Sequence, residues 1–220
     1  MKTITQNLQT LKNSLKDEPQ VNIVVVTKTR SPKEVEEAIR AGAKSIGENR
    51  VQEAEQKFPK IRNIDKAEKR LIGRLQSNKV NKAIKIFDTI DSVDSLRLSQ
   101  KISKAAENTG KRQRVLLQVN SSGESTKSGF DPSNKKDILE CVDMPGIVVE
   151  GLMTMGPNTK NTSLIAKSFR KTKELFDELR EVGGINIKTL SMGMSGDYLI
   201  AVSEGSTSIR VGTAVFGTRS

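Results

Sequence analysis

The 220-residue chain has no histidine, no tryptophan, one cysteine and one tyrosine. Lack of histidine excludes serine–histidine and cysteine–histidine catalysis, and most zinc chemistry with them. General acid and base work falls to lysines, carboxylates or the single Tyr198. The lone Cys141 rules out an internal disulfide. Aromatic residues make up 3% of the chain, so stacking platforms for single-stranded nucleic acid are scarce. No apolar run approaches the roughly 18 residues that a membrane span needs. Met1 to Leu15 alternate polar and apolar residues, without the continuous apolar core of a secretory signal. A cytoplasmic location is expected.

What is present fits a soluble globular protein, with 35% hydrophobic and 29% charged residues. The net charge of +11 raises nucleic acid as a partner. Against this, the basic residues are spread along the chain and mixed with 26 acidic ones. A basic nucleic-acid-binding module remains an alternative, one that predicts salt-sensitive binding.

The organising stretch is Ile23-Val24-Val25-Val26-Thr27-Lys28. Its apolar run reads as a buried parallel strand. Ser31, Pro32 and Glu34 then start a helix: serine caps, proline suits the first position, and glutamate completes a capping box. Val35, Ala38 and Ile39 share one face of that helix, which stops at Gly42. Further strands are predicted at 44–47, 70–73, 86–91, 115–120, 147–153, 187–190 and 208–211. Residues 59–69 read as loop, and Asp131-Pro132 as a helix cap and first turn. The clearest amphipathic helix carries Ile165, Phe169, Thr172, Phe176 and Leu179 and is closed by Gly183-Gly184. Ser195 to Ser203 is predicted helical, and Ala214 to Phe216 makes one further turn.

Eight strand–helix units without a Ser/Gly-rich linker predict one (β/α)8 TIM barrel over residues 1–220. Ile4, Leu8, Leu11 and Leu15 form an extra amino-terminal helix, expected to cover the barrel bottom. A doubly wound open sheet is the alternative. It would carry a glycine-rich turn after its first strand, where this chain has Thr27-Lys28-Thr29.

In such a barrel Lys28 would stand at the active-site mouth, among apolar neighbours that favour a nucleophilic amine. The plain alternative is a solvated lysine. Gly212 and Thr213 follow the last strand, and a loop of small and hydroxyl residues, Ser191 to Asp197, follows the seventh. Barrels often bind phosphate with these two loops. Arg210 lies within the last strand, where an inward arginine needs an acceptor. The plain alternatives are two capped turns and an outward arginine. A ligand with an aldehyde, a ring acceptor and a phosphate would meet all three features. Pyridoxal 5′-phosphate is such a ligand.

Several stretches carry a family resemblance. They are Val25-Val26-Thr27-Lys28-Thr29, Gly47-Glu48-Asn49-Arg50-Val51-Gln52-Glu53, Ile72-Gly73-Arg74-Leu75-Gln76-Ser77-Asn78-Lys79 and Ser125-Thr126-Lys127-Ser128-Gly129. Near the end come Gly151-Leu152-Met153, Leu190-Ser191-Met192-Gly193-Met194-Ser195 and Ile209-Arg210-Val211-Gly212-Thr213. In this order they resemble the pyridoxal phosphate homeostasis protein family, fold-type III barrels similar to the amino-terminal domain of alanine racemases.

The resemblance implies a Schiff base on Lys28 and a site lined by Asn49. It implies phosphate binding by Ser195, the backbone near Met194, Gly212 and Thr213, with Ser191 as a further member. Arg210 would face the ring nitrogen, favouring storage and delivery of cofactor over fast turnover. Pyridoxal-phosphate-dependent apo-enzymes are the implied recipients, and a monomer is expected. Lys127 is a candidate second lysine for handling cofactor, its plain alternative being a solvated loop residue. The histidine that the family commonly carries before the Ile-Gly of the third strand is missing here, where Arg70 and Leu71 stand. An amino-acid racemase is the enzymatic alternative; alanine racemases add a β domain that supplies a tyrosine.

Overall fold

In the computed structural model, which describes residues 3–124, 126–182 and 187–218, eight parallel strands close into a barrel in chain order. They are β1 (Asn22–Val26), β2 (Ser45–Glu48), β3 (Glu68–Leu71), β4 (Thr89–Val93), β5 (Gln113–Val119), β6 (Ile147–Thr154), β7 (Thr189–Met194) and β8 (Ser208–Val211). Around them lie α1 (Ile4–Ser14), α2 (Pro32–Arg40), α3 (Val51–Lys57), α4 (Val80–Ile86) and α5 (Leu96–Glu107). The second half adds α6 (Lys135–Val142), α7 (Thr162–Glu181), α8 (Tyr198–Ser203) and α9 (Thr213–Phe216). The barrel expected from the strand–helix alternation is the observed fold. No helix among the described residues is long and apolar enough to cross a membrane.

Closure places the first and last strands side by side, with Val24 opposite both Ser45 of β2 and Arg210 of β8. Side chains alternate across each strand. Val25, Ile209 and Val211 face outward into a cluster with Leu8, Leu11, Leu15 and Val215. Val24, Val26 and Arg210 therefore take the inner face. The predicted cap of α2 is present: Ser31 Oγ accepts from Glu34 N at 3.3 Å, and Glu34 Oε2 accepts from Ser31 N at 2.7 Å.

The leading helix does not cover the barrel bottom. It packs beside α2 and α9, on the outer faces of β1 and β8. The reason is that α9 spans only 4 residues, too few to shield β8, so α1 completes the helical ring. Asn7 Nδ2 donates to Val215 O at 2.9 Å and ties the two helices together.

Several strand boundaries also differ from expectation. β3 starts two residues earlier, within residues expected to be loop, because Glu68 and Arg70 find partners inside the barrel: Arg70 Nε donates to both Asp91 oxygens at 3.1 and 3.0 Å. β4 starts at Thr89, since Ile86 ends α4 and Phe87 turns edge-on to Phe58 at 5.9 Å. β7 starts at Thr189 and runs on to Met194. The predicted cap at Asp131-Pro132 is instead a turn in which Asp131 Oδ1 accepts from Ser133 N, and Asn134 caps α6. The Ser195–Ser203 helix begins only at Tyr198. Gly183 and Gly184 lie outside the described residues.

Candidate functional site

β1 ends at Val26, and the chain turns through Thr27, Lys28 and Thr29. Alternation continues from Val24 through Val26 to Lys28, so the lysine follows the inner face to the carboxyl end of the barrel. There a cavity of about 500 Å³ is lined by Lys28, Met194, Ser195, Arg210, Gly212 and Thr213, together with Val26 and Arg30. Six of the eight residues expected to form the site thus border one space. Asn49 and Ser191 do not. Asn49 lines a separate cavity of about 670 Å³ with Arg50, Gly73 and Arg74. A Cβ on Gly73 would come within 2.4 Å of Asn49 O, so only glycine permits this approach of the two turns. Ser191 is fully buried, and its carbonyl and Oγ accept from Arg210 NH1 at 2.8 and 2.7 Å. It orients the arginine.

The inward arginine therefore has protein acceptors of its own. Arg210 NH2 donates to Thr154 O at 2.7 Å, and Nε makes no hydrogen bond among the described residues. Burial pulls its pKa down to about 10, although Asp91 and Asp197 favour the charged form. At neutral pH the guanidinium keeps its proton.

The two loops where the sequence predicts a phosphate cup meet through Ser195. Ser195 Oγ accepts from Gly212 N at 3.2 Å and Ala214 N at 3.3 Å. One hydroxyl thus stands over two amides at the start of α9. Gly212 itself has φ −117°. A methyl group added there would meet Val26 only at ordinary contact, 3.5 Å. No protein atom would clash with a Cβ there, so the backbone at Gly212 stays open to the cavity. Met194 N donates to Asp197 Oδ1 at 2.5 Å, which closes the β7 loop. Gly193, at φ +96°, makes the turn that α8 requires, since a Cβ there would lie 2.6 Å from that of Ala201. Arg30 fastens the tail: it donates to Gly217 O at 3.1 Å and lies 5.0 Å from the Phe216 ring centroid.

The remaining candidates are placed elsewhere. Lys127 Nζ donates to Gly156 O at 2.7 Å and pairs with Glu124 at 2.9 Å, outside the Lys28 cavity. Tyr198 Oη lies 3.1 Å from Ser14 Oγ on α1. Cys141 is buried against Ser99, and burial pushes its thiol up to about 11, so it is no nucleophile at neutral pH.

Sequence reasoning missed Thr154, although its place at the end of β6 marks it as a mouth residue. It also missed Lys57, at the end of α3, which is 7% exposed. Lys57 Nζ reaches Thr27 O at 2.8 Å, Glu48 Oε1 at 2.8 Å and Glu53 Oε1 at 2.7 Å. No spacing in the sequence announces that a lysine on a polar helix turns inward.

Known proteins share this fold over nearly the whole chain. The family described as alanine racemase, N-terminal domain, matches residues 1–220. The pyridoxal phosphate homeostasis protein of Aquifex aeolicus is 40% identical over 194 residues, covering 88% of this chain and 85% of its own. The structure of PipY from Synechococcus elongatus with PLP bound superposes with a TM-score of 0.89 at 32% identity, over 98% of this chain and 100% of that one. Alanine racemase from Clostridium difficile shares the fold, with a TM-score of 0.82 at 21% identity over 99% of this chain and 56% of its own. From its whole-length family match and its curated relatives, the chain belongs to the alanine racemase N-terminal domain family, among the pyridoxal phosphate homeostasis proteins.

Proposed function

We propose that this chain holds pyridoxal 5′-phosphate covalently on Lys28 and serves its storage and delivery within the cytoplasm, without robust catalysis of its own. The observation that carries this reading is the convergence on one cavity of an amine, a buried guanidinium and a serine hydroxyl that gathers the first amides of α9. The residues fit the group. Lys28 has no hydrogen-bond or ion partner among the described residues, and the volume a side chain would take at Gly212 is free. The printed names of the relatives, and the PLP-bound PipY structure, point the same way.

When bound, pyridoxal phosphate supplies an aldehyde for capture by an amine and a ring able to withdraw electrons. Lys28 would be the residue that takes the aldehyde. Ser195, the Gly212 and Ala214 amides, Thr213 and the backbone near Met194 would hold the phosphate. Ser191 and Thr154 fix two arms of Arg210. Arg210 would present a donor toward the ring and, keeping its own proton, would supply none to it, an arrangement that suits carriage over turnover. Asn49 lines the neighbouring cavity rather than this one.

The racemase reading needs a second base opposite the lysine. The one tyrosine is engaged with Ser14, so the geometry favours the carrier.

The test is transfer. Protein loaded with pyridoxal phosphate and freed of excess is offered to a pyridoxal-phosphate-dependent apo-enzyme. Recovery of that enzyme's activity is expected, with negligible interconversion of D- and L-alanine by the loaded protein. Absence of transfer together with rapid interconversion would overturn the proposal.

A further inference from the structure

We infer that Lys57, acting with Glu48 and Glu53, is a positioning residue that sets where the Lys28 amine stands. The inference rests on the proposed role of Lys28.

The residues on either side of Lys28 are each held by one buried ion cluster. Before it, Thr27 O accepts from Lys57 Nζ at 2.8 Å, and Thr27 Oγ1 donates to Glu48 Oε1 at 2.6 Å. After it, Thr29 N donates to Glu53 Oε1 at 2.6 Å. Lys57 joins the two carboxylates, so the brackets form a single unit. Glu48 is fully buried. Thr29 is the one non-glycine residue with positive φ among the described residues, at 62°. That conformation is strained for a threonine, and the Glu53 bond holds it. The kink turns the chain after Lys28 toward the start of α2 and leaves the lysine side chain directed along the inner face.

A purely structural role accounts poorly for this cluster. Glu48 Oε2 is buried without a partner, and apolar side chains would hold α3 against the barrel at lower cost. What apolar side chains cannot do is grip a carbonyl and an amide two residues apart. The cluster spends its bonds on those two backbone atoms.

The experiment follows formation of the borohydride-reducible adduct with pyridoxal phosphate across pH, in wild type, Lys57→Met, Lys57→Arg and Glu53→Gln, with thermal unfolding of each. Folded Lys57→Met is expected to modify the same lysine, about tenfold more slowly and with a displaced pH profile. Lys57→Arg should recover part of the rate, and Glu53→Gln should shift both readouts less, in the same direction. A wild-type rate and pH profile in folded Lys57→Met would overturn the inference. Should Lys57→Met fail to fold, the part-exposed Glu53→Gln decides in the same way. If wild type itself forms no adduct, the reading of the site falls, and this inference with it.

Discussion

The foot of the barrel and its mouth are both polar, but they are finished differently. At the foot, where the strands begin, Glu68 accepts from Arg70 at 2.7 Å, from Thr89 and Ser45 at 3.1 Å each, and from Arg114. Arg114 also pairs with Glu150 at 3.6 Å, and Arg70 with Asp91. Two arginines, Arg70 and Arg114, thus meet three carboxylates, Glu68, Asp91 and Glu150. At the mouth the donors lack such company. Lys28 has no ion partner among the described residues, and one serine hydroxyl serves two amides. Charge met from within builds a floor. Donors left without counter-charge build a receptor for an anion that comes from outside.

The comparison breaks most readily at the foot. Asp91→Ala breaks one buried pair and leaves Arg70 with Glu68 as its remaining carboxylate partner, and such a loss costs about 3 kcal/mol. Urea unfolding should register it in full; a loss under about 1 kcal/mol would show that the foot is not what holds the barrel. Next in size is Ser195→Ala, which removes the acceptor over the α9 amides. It should cost about 1 kcal/mol of stability and weaken pyridoxal phosphate binding about tenfold, read by fluorescence or absorbance titration.

A smaller effect lies in pH. Burial pushes the Glu53 carboxyl up, but the bonds from Lys57 and the Thr29 amide outweigh it and hold it below its ordinary value of 4.5. A carboxylate lowered in the folded state stabilises fully above its unfolded value and loses that contribution as pH falls through the folded one. Unfolding free energy should therefore drop more steeply on acidification in wild type than in Glu53→Gln. Equal slopes would remove the carboxylate from the account. The smallest stability change belongs to Lys28→Ala. With no bond to lose, it should stay within about 0.5 kcal/mol of wild type by urea unfolding, while cofactor capture disappears.

The two regions were also unequally legible. Signals that act over a few residues read true. The Ser31–Glu34 capping box, the valines of β1, the bounds of β8 and the short turn of α9 lie where the chain predicts them. So does the convergence of Lys28, Arg210 and Thr213, because barrel closure follows from the alternation and brings the first and last strands together. The foot was hidden. Glu68-Lys69 reads as loop, and nothing local shows that Glu68 meets Arg114, 46 residues on, or that Arg70 meets Asp91, 21 residues on. Lys57 was hidden for the same reason: its backbone partner Thr27 is 30 residues back along the chain. The place of α1 depended on how short α9 would be. Ser191 pointed correctly to the site's neighbourhood, yet its hydroxyl is committed to Arg210, a bond that only the packing of β7 on β8 reveals.

The central claim is that one amine among the chain's many lysines is the cofactor's tether. Peptide mapping after borohydride reduction of protein mixed with equimolar pyridoxal phosphate tests it most directly. The account predicts the pyridoxyl mass on the peptide that contains Lys28, and its loss from that peptide when inorganic phosphate competes for the cup. Label scattered evenly over surface lysines, with Lys28 unmodified, would contradict it.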